Sequence, residues 1–450
     1  MLVRHLRRNG LQVTYVRNIT DVDDKILKRA SETGTDPGAL ATQFADAYAE
    51  DMHRLGNLDP DIEPRVSTHL EDILALVQRL IDREHAYVSD GDVYFSVQSF
   101  PEYGKLSHRD LEQMKVGASE RLDDAQTARK RHPADFALWK KSDGGAWGWE
   151  SPWGRGRPGW HIECSAMSMK HLGDTLDLHG GGLDLVFPHH ENEIAQSEAA
   201  TGAPFSRCWM HNGFVEVDKE KMSKSLGNFF TARDLFERVE PEAIRYFMMT
   251  VHYRAPLNLD WTLDDAGNVT GFPQFEEAER RVAYLYKTKE RLAGLPEKRI
   301  VDGDGPVPSE LAEFPGALRA ALDDDLNMPV ALAKLADFLK TVNELCDQAM
   351  RKKGKAARAA VEAANRGFEA LGAELGIGTE NPGAVLLRIR DRRAQARGLD
   401  GASIEARIEA RTDARRSKDF AEADRIRDEL AAQGVELLDS PEGTGWTIAD

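Results

Sequence analysis

The chain has 450 residues and a formal net charge of −17 at pH 7, which argues against indiscriminate nucleic-acid binding because phosphate backbones attract basic surfaces. A hydrophobic content of 41% with 30% charged residues is typical of globular proteins, and no apolar run approaches the roughly 20 residues of a membrane-spanning helix. From the length we expect about three domains. Three scattered cysteines argue against a disulfide framework, so we expect a protein of the reducing cytoplasm, without membrane attachment.

The first elements predicted along the chain form the middle of an α/β unit rather than its beginning. Residues 3–9 end a helix that stops at Gly10, and residues 11–16 are predicted as a buried strand. The next clear helix begins at Asp36-Pro37, and its apolar stripe is formed by Leu40, Phe44, Tyr48, Met52 and Leu55. Because a helix end that feeds a strand belongs inside an α/β unit, the chain is expected to enter its fold late.

The following segment is interpreted as an insertion between two halves of an α/β domain. A helix through residues 73–80 leads to a predicted hairpin that turns at Asp90-Gly91. Residues 98–153 are irregular and rich in tryptophan, glycine and charge, with a predicted strand at residues 136–140.

Residues 159–193 contain the densest group of side chains that could carry chemistry. If the run after Pro188 forms a helix, His189 and Glu193 lie one turn apart on one face, and Cys164 could join them as a third ligand. One Cys, one His and one Glu are a typical ligand set for zinc with a coordination position left open. The alternative is a cysteine that acts only as a small hydrophobe, beside solvated histidines.

Two short sequence patterns lie at and after this segment: a partial zinc-protease motif and a polar loop. The zinc-protease pattern fails, because Ile194 stands where its second histidine belongs. The polar loop Lys221-Met222-Ser223-Lys224-Ser225 follows a strand-like run at residues 208–217. Its lysines and serines could bind an anion, although by charge alone it could be any exposed loop.

The second half of the chain is predicted to be mostly helical. From Pro241 onward, helices cover residues 264–292 and 308–375, with linkers at residues 301–306 and 376–382.

The end of the chain combines a basic helix with a small strand pair. Arg407, Arg411 and Arg415 follow one another at intervals of four residues and form a basic stripe. A solvated face with interleaved glutamates is the alternative interpretation. Trp446 lies in the predicted terminal hairpin, where core packing and stacking against a nucleic-acid base are both open.

Three motifs together resemble those of the cysteinyl-tRNA synthetases, a family of class I aminoacyl-tRNA synthetases. They are the KMSKS loop at residues 221–225, the run RPGWHIECSA at residues 157–166, and the histidine-rich segment from residues 179–182 to residues 188–193. The resemblance extends from residue 15 to residue 446 and so covers nearly the whole chain.

This resemblance implies a Rossmann-type class I catalytic domain without its first strand and helix, followed by a helical bundle and a small C-terminal α/β domain. The implied bounds are 1–75 for the first part of the catalytic domain, 76–156 for the insertion, 157–222 for the second part, 223–300 for the KMSKS loop and stem, 301–395 for the helical bundle, and 396–450 for the anticodon-binding domain.

The resemblance also implies roles for individual residues. The family's zinc is held by two Cys, one His and one Glu, of which this chain matches Cys164, His189 and Glu193. The amino acid would contact Thr20, Trp160 and His179, and ATP would contact Gly180, Gly182, Asp184 and Lys224. Lys221 and Lys224 would be catalytic, and tRNA would contact Arg407, Arg411, Arg415, Asp439 and Trp446.

The implied reaction uses ATP with Mg²⁺, L-cysteine and tRNA(Cys) as partners of a monomer with one Zn²⁺. Cysteine and serine differ by one atom, and shape alone separates such near-isosteres by only a few kcal/mol. Zinc separates them better because a soft thiolate is a far better ligand than a hydroxyl.

Two elements of the family pattern have no counterpart in these 450 residues: the His-Ile-Gly-His-type ATP motif and the turn that carries the first cysteine ligand. Both would precede Met1, in a segment of about 50 residues that includes the first strand of the nucleotide-binding fold. Three explanations are open. The first is a misassigned start or an incomplete sequence, the second is a truncated protein that binds tRNA or metal without catalysis, and the third is a ligase that joins cysteine to an amino sugar. The C-terminal basic region argues against the last, and impaired cysteine activation is expected for the chain as given.

Overall fold

The computed structural model describes residues 1–109, 129–142, 147–217, 220–222, 229–266, 269–303, 305–440 and 443–449. The architecture is α/β in the first half of the chain and largely helical in the second.

Four helices form the N-terminal part of the chain. They are α1 (Leu2–Arg8), α2 (Asp24–Thr33), α3 (Pro37–Arg54) and α4 (Leu70–Asp82). The carboxylates of Asp23 and Asp36 accept hydrogen bonds from backbone N–H groups in the first turns of α2 and α3, which explains where these two helices begin.

The strand predicted at residues 11–16 is wrong. The backbone of residues 11–15 forms no strand, and the Leu11 side chain is 56% exposed. Isolated parallel bridges form instead, from Val16 to Ile62 and from Ile19 to Arg65. A short apolar run does not define a buried strand by itself, because burial requires a neighbouring layer that covers it.

The apolar stripe predicted on α3 is partly wrong. Leu40 is buried together with Ala41 and Ala45, whereas Phe44 is 60% exposed and Tyr48 is 40% exposed. Because α3 packs against α2, the small alanines allow close approach, and the buried face is rotated away from the larger side chains.

An antiparallel sheet lies within the predicted insertion. Its strands, in spatial order, are β1 (Ala86–Ser89), β2 (Asp92–Phe95), β3 (Phe136–Lys141) and β4 (Gly156–Pro158). The hairpin and the strand predicted here are confirmed. Gly159 follows β4, and a Cβ at this position would lie 1.9 Å from the backbone oxygen of Ala137. Glycine therefore lets the chain pass close to β3 as it enters the next helix.

A parallel β-α-β crossover forms the scaffold of the candidate site. After α5 (Trp160–Leu172), β5 (His179–Gly182) pairs in parallel with β6 (Trp209–Asn212), and α6 (Glu191–Thr201) connects the two strands. A π-type turn at residues 186–190 precedes α6. The predicted helix after Pro188 is thus confirmed, and its N-terminal end faces the same region as α5.

A second small sheet follows the crossover. In it, β7 (Val215–Val217) pairs antiparallel with β8 (Glu220–Lys221) and in parallel with β9 (Leu257–Asn258). The run predicted as one strand at residues 208–217 is divided between β6 and β7 at Gly213, where a Cβ would lie 2.2 Å from the backbone oxygen of Ala255.

The helical half contains eight described helices. They are α7 (Ala232–Phe236), α8 (Pro241–Met248), α9 (Pro273–Ala293), α10 (Ser309–Ala312), α11 (Phe314–Asp323), α12 (Met328–Met350), α13 (Arg358–Leu375) and α14 (Pro382–Ala396). Two short strand pairs lie among them: β10 (Thr262–Leu263) with β11 (Val269–Gly271), and β12 (Ile300–Val301) with β13 (Ala356–Ala357).

The helix predicted to begin at residue 264 begins instead at Pro273. Proline lacks the N–H that an interior helical position needs, so a helix that contains it starts there. The residues before it form β10 and β11, and the Thr262 and Thr270 hydroxyls share a hydrogen bond of 2.8 Å across this pair.

The chain ends in a small α/β unit, as predicted. It contains α15 (Gly401–Arg416), α16 (Phe420–Ala432) and the antiparallel strands β14 (Val435–Ser440) and β15 (Gly443–Ile448).

Three hydrophobic cores organise the described residues. The first lies between residues 22 and 205, the second between residues 235 and 389, and the third between residues 394 and 448. Helix α14 contributes Ile389 to the second core and Ala394 to the third. Among the described residues, no helix is both long enough and apolar enough to cross a bilayer.

Candidate metal and substrate site

Three predicted ligands converge between α5 and α6. Donor atoms of Cys164, His189 and Glu193 all lie within 4.8 Å of one another, and His189 and Glu193 are buried. Cys164 comes from the first turns of α5, His189 from the turn that precedes α6, and Glu193 from the first turn of α6. The helical spacing predicted from the sequence therefore does place these side chains together.

The donor set fits a zinc ion by two observations. The His189 Nε2 and Glu193 Oε1 atoms are 3.8 Å apart, close to the separation expected for two ligands that share one ion at about 2.0–2.2 Å. Glu193 Oε1 is buried and has no hydrogen-bond partner among the described residues. An unpaired buried carboxylate oxygen is costly, and a cation is the partner that would satisfy it.

Neighbouring side chains hold these ligands in place. The Nδ1 atoms of His161 and His189 are 2.9 Å apart, so one ring donates to the other and the Nε2 atom of His189 is left to face Glu193. His179 Nε2 lies 3.1 Å from Glu193 Oε2. On the other side, Asn18 Nδ2 donates to Cys164 Sγ at 3.5 Å.

The electrostatics favour the protonation states that metal binding needs for the carboxylate and the imidazoles. Burial raises the pKa of Glu193, but His179, His189 and His190 outweigh it and bring that pKa down to about 2. Burial lowers the pKa of both His161 and His190 to about 3, so these rings stay neutral. The carboxylate is thus anionic among mostly neutral rings.

The Cys164 thiol behaves differently. Burial, with further effects from Glu193 and Glu163, raises its pKa well above the usual range. A thiolate is therefore disfavoured at this position unless a nearby cation stabilises it, and a bound dication reverses this preference.

Of the three residues expected to contact the amino acid, Trp160 and His179 have contacts at the ligand cluster, and Thr20 lies beside a β-bridge. The Trp160 ring stacks on the His189 ring with centroids 4.4 Å apart and stays 45% exposed, so it borders the ligand cluster and solvent at once. His179 reaches the cluster through Glu193. Thr20 is half-buried, directly after Ile19, which forms an isolated bridge to Arg65.

The glycine-rich segment expected near ATP forms β5 and the turn after it. Gly180 and Gly182 lie on this strand beside β6. A Cβ at Gly182 would lie 2.5 Å from Asp184 Oδ1, so the Asp184 carboxylate folds back against the strand end. A side chain at Gly182 would collide with this carboxylate, so glycine is the residue that fits the strand end.

The KMSKS residues fall at the limit of what is described. Lys221 lies on β8, where Glu216 is its backbone partner, and its side chain is outside the described part of the chain. Lys224 lies outside the described residues altogether.

Three histidines around the cluster were not predicted as part of the site. His161, His190 and His211 surround the ligands, and His190 Nδ1 lies 2.8 Å from His211 Nε2. His190 also forms a second group of potential metal ligands with His179 and Glu193. A signal was present, since six of the 13 histidines fall between residues 161 and 211.

Buried polar residues of α6 also support the site from behind. The Glu191 carboxylate accepts hydrogen bonds from the backbone N–H groups of Gly104, Leu106 and Ser107. Tyr103 donates its hydroxyl to the Asn192 side chain at 2.5 Å. These contacts tie the loop after the 3₁₀ turn at residues 97–99 to the helix that carries Glu193.

The residues expected to bind tRNA lie far along the chain in the C-terminal unit, and most are engaged within it. Both Nη atoms of Arg411 donate to the Asp439 carboxylate, at 2.9 and 3.0 Å, and Arg415 reaches the same group at 3.4 Å. Arg407 pairs with Glu429. The basic stripe is therefore largely neutralised within the unit.

Trp446 is a core residue of this unit. It is 5% exposed, packs in the third core, and has the Arg390 guanidinium 4.1 Å from its ring centroid. Of the two interpretations left open for Trp446, this burial favours core packing, because a stacking platform needs a ring face that is open to a base.

Three family models match parts of this chain. Residues 1–266 match the model of the tRNA synthetases class I (C) catalytic domain, residues 317–379 match the DALR domain, and residues 401–446 match the cysteinyl-tRNA ligase anticodon binding domain. The cysteine–tRNA ligase of Anaeromyxobacter dehalogenans strain 2CP-1 is 51% identical over 454 residues, which cover 100% of this chain and 90% of that protein.

Further relatives carry the same name. The cysteine–tRNA ligase of Syntrophotalea carbinolica is 49% identical and covers 99% of this chain and 89% of its own length. That of Geobacter sulfurreducens is 46% identical and covers 100% of this chain and 90% of its own length.

Solved structures support the fold class. The methionyl-tRNA synthetase of Mycobacterium tuberculosis in complex with methionyl-adenylate aligns with a TM-score of 0.58 at 16% identity, covering 85% of this chain and 87% of that one. The expected class I synthetase fold, with its helical and anticodon-binding parts, is confirmed. At half identity over its full length with proteins of that name, the chain belongs to the cysteine–tRNA ligase family.

Proposed function

We propose that this chain attaches L-cysteine to tRNA(Cys) in an ATP-dependent reaction, and that a zinc ion at Cys164, His189 and Glu193 selects the substrate thiol. The observation that carries the proposal is the convergence of three protein donors, one of them a buried carboxylate oxygen without a partner. When bound, zinc supplies a soft coordination position that a thiolate fills far better than a hydroxyl does.

The surrounding residues bind and orient. Trp160 walls the amino-acid side of the cluster with its exposed face, and His161 holds the His189 ring in the orientation that ligation requires. His179 holds the second oxygen of Glu193, so that Oε1 remains free for the ion. Thr20 completes the wall of the amino-acid pocket in this proposal.

The chemistry proceeds in two steps. The cysteine carboxylate attacks the α-phosphate of Mg²⁺-ATP, which forms cysteinyl-adenylate and releases pyrophosphate. Lys221 and Lys224 stabilise the charge on the leaving pyrophosphate, and the β5 backbone at Gly180 and Gly182, with Asp184, borders the nucleotide. The terminal ribose hydroxyl of the tRNA then attacks the carbonyl carbon and displaces AMP.

The remaining parts of the proposal concern organisation. The match of residues 401–446 to an anticodon-binding domain supports a tRNA rather than an amino sugar as the acceptor. The segment bounds implied by the resemblance, a monomeric state and a cytoplasmic location belong to the same proposal. Exposed Arg415 is the member of the basic stripe most available to a tRNA phosphate.

Cysteine-dependent ATP–pyrophosphate exchange, with serine as the competitor, tests the proposal. Exchange should favour cysteine over serine by at least about a thousandfold, because a site built for one donor rejects the analogue that lacks it. The ratio is the decisive quantity, because it compares the two amino acids in the same protein preparation.

Two variants sharpen that assay. Cys164→Ser should reduce the ratio, whereas Cys208→Ser, at an exposed position outside the cluster, should leave it unchanged. Equal exchange with serine and cysteine contradicts zinc selection. Retention of tRNA without any exchange favours a binding protein without catalysis.

A further inference from the structure

Helix α14 joins two parts of the molecule that the proposed reaction must hold in register. Its Val385 and Ile389 side chains lie in the second core, against the helices that follow the KMSKS loop. Its last turns belong to the C-terminal unit, where Ala394 enters the third core and Arg390 stacks over Trp446. With 15 residues it spans about 22 Å.

Two buried carboxylates of the helical half bind the middle and last turns of this helix. Glu240, at the N-terminal end of α8, is 2% exposed, and Glu279, on α9, is 3% exposed. The backbone N–H of Glu240 donates to Glu279 Oε2 at 2.9 Å, so the two acids form one unit.

Three arginines of α14 converge on these acids. Arg388 donates from Nε and Nη2 to Glu240 Oε1, at 3.2 and 2.6 Å. Arg392 bridges the pair, with Nη1 on Glu240 and Nη2 on Glu279, and Arg393 Nε donates to Glu279 at 3.0 Å. We refer to Glu240, Glu279, Arg388, Arg392 and Arg393 as the arginine clamp.

The clamp constrains the rotation of α14 about its axis. Apolar contacts such as those of Val385 and Ile389 are non-directional and tolerate small rotations and slides. The clamp does not tolerate such movements, because Arg388 and Arg392 stand one turn apart and must both meet the buried Glu240 carboxylate.

Stability alone is a poor explanation for such a cluster. A buried ion pair often contributes little net stability compared with apolar residues of similar volume, whereas removal of one member leaves an uncompensated charge. Its directional bonds instead select one relative orientation of the elements that it joins.

We propose that Glu240 and Glu279 are positioning residues that, through α14, fix the orientation of the C-terminal unit relative to the catalytic half, and so set the efficiency of tRNA charging. The inference rests on the proposed function, since it assumes that the C-terminal unit engages the tRNA whose other end reaches the catalytic half. It separates the two half-reactions: amino-acid activation does not need the clamp, and transfer to tRNA does.

The substitution Glu279→Gln tests the clamp in the full chain. It keeps the side-chain shape and removes the charge that Arg392 and Arg393 share. The value of kcat/KM for charging of tRNA(Cys) transcript should fall by about tenfold or more, because small misplacements of reacting groups are costly. Cysteine-dependent pyrophosphate exchange should remain within twofold of the unsubstituted chain.

A matched control lies on the same helix. Glu277 is also bound by two arginines, Arg280 and Arg281, but both belong to α9 itself and the group is exposed. Glu277→Gln should change neither half-reaction. Arg388→Gln, at the more exposed edge of the clamp, gives a milder variant should Glu279→Gln fold poorly.

Orientation can be measured without turnover. Spin labels at exposed Phe420 and exposed Tyr284, both replaced by cysteine in a chain whose three native cysteines are changed to serine, report the distance between α16 and α9. Glu279→Gln should broaden that distance distribution and weaken tRNA binding, whereas Glu277→Gln should do neither.

The outcomes are separable. An unchanged distance distribution together with unchanged charging by Glu279→Gln overturns the clamp, and so does a parallel loss of exchange and charging, which would indicate general destabilisation. If the unsubstituted chain shows no cysteine-dependent exchange, the proposed function fails, while the distance and tRNA-binding measurements still decide the clamp.

Discussion

The candidate metal site and the C-terminal basic helix were both predicted from residues at helical spacing, but their side chains have different partners in the structure. At the cluster, His189 and Glu193 share a face with Cys164 nearby, and one carboxylate oxygen remains unpaired. On the basic helix, Arg411 finds its partner, Asp439, within the same unit.

The difference shows what helical spacing can predict. Spacing of four residues places side chains on one face of a helix, but it does not specify whether that face meets a ligand or another element of the chain. At Glu193 a buried carboxylate oxygen has no hydrogen-bond partner among the described residues, whereas the exposed Asp439 carboxylate is paired with Arg411.

The largest expected effect is at the candidate metal site. Cys164→Ala should lower zinc affinity roughly 100- to 1000-fold, or about 3–4 kcal/mol, because the binding free energy of a zinc site is shared among its few ligands. Competition with a chromophoric chelator measures this change. Cys208→Ala is the control, and equal zinc affinity in the two variants would show that Cys164 is not a ligand.

The next largest effect should appear in the C-terminal core. Trp446→Ala should destabilise that unit by about 3 kcal/mol, because it leaves a large cavity in a small core. Urea unfolding followed by circular dichroism measures the loss. Phe420→Ala removes an aromatic ring that is 62% exposed and should cost much less. A stable Trp446→Ala protein that loses only tRNA affinity would restore the stacking interpretation.

A smaller, pH-dependent effect is expected at Asp439. Hydrogen bonds from Arg411 and Thr444 lower the pKa of its carboxyl in the folded chain. The stabilisation is therefore fully present above the unfolded value of about 3.9 and is lost as pH falls through the folded value.

Asp439→Asn should cost about 1 kcal/mol at pH 7, since about half of the Asp439 side chain is exposed and solvent screens the pair. The difference between the two proteins should shrink below about pH 4. Urea unfolding at pH 7, 5 and 3.5 measures it, and a pH-independent difference would rule out the charge as its cause.

The smallest effect is expected at Arg415, whose side chain is 51% exposed. Arg415→Ala should weaken tRNA binding about two- to fivefold and reduce the salt dependence by about one counterion. Filter binding at several salt concentrations measures both. Lys340→Ala, an exposed cation on α12, serves as the control. An equal loss in both variants would point to the general field of the protein rather than to a local contact.

Local chemistry made much of the candidate site predictable from the sequence. The helix after Pro188 and the meeting of His189 with Glu193 follow from local spacing, and the addition of Cys164 relied on the donor types alone. The supporting histidines were not predicted, because His161 and His211 reach the cluster from α5 and β6, and such long-range packing has no local pattern.

The fold shows the same division. Helix α4 and the hairpin β1–β2 carry strong local signals and were predicted correctly. The strand at residues 11–16 was not, because its apolar run has no covering layer among the described residues and Leu11 is exposed. The helix start at Pro273 could have been predicted, since proline in the interior of a proposed helix is itself a warning.

Helix α14 has a consequence for protein engineering. The match to the anticodon-binding domain begins at residue 401, but the third core extends upstream to Ala394, and the Arg390 guanidinium covers the Trp446 ring. A graft that is cut at residue 401 would remove the Arg390 side chain that covers the Trp446 ring. We therefore expect a transplantable module to begin inside α14, upstream of Arg390.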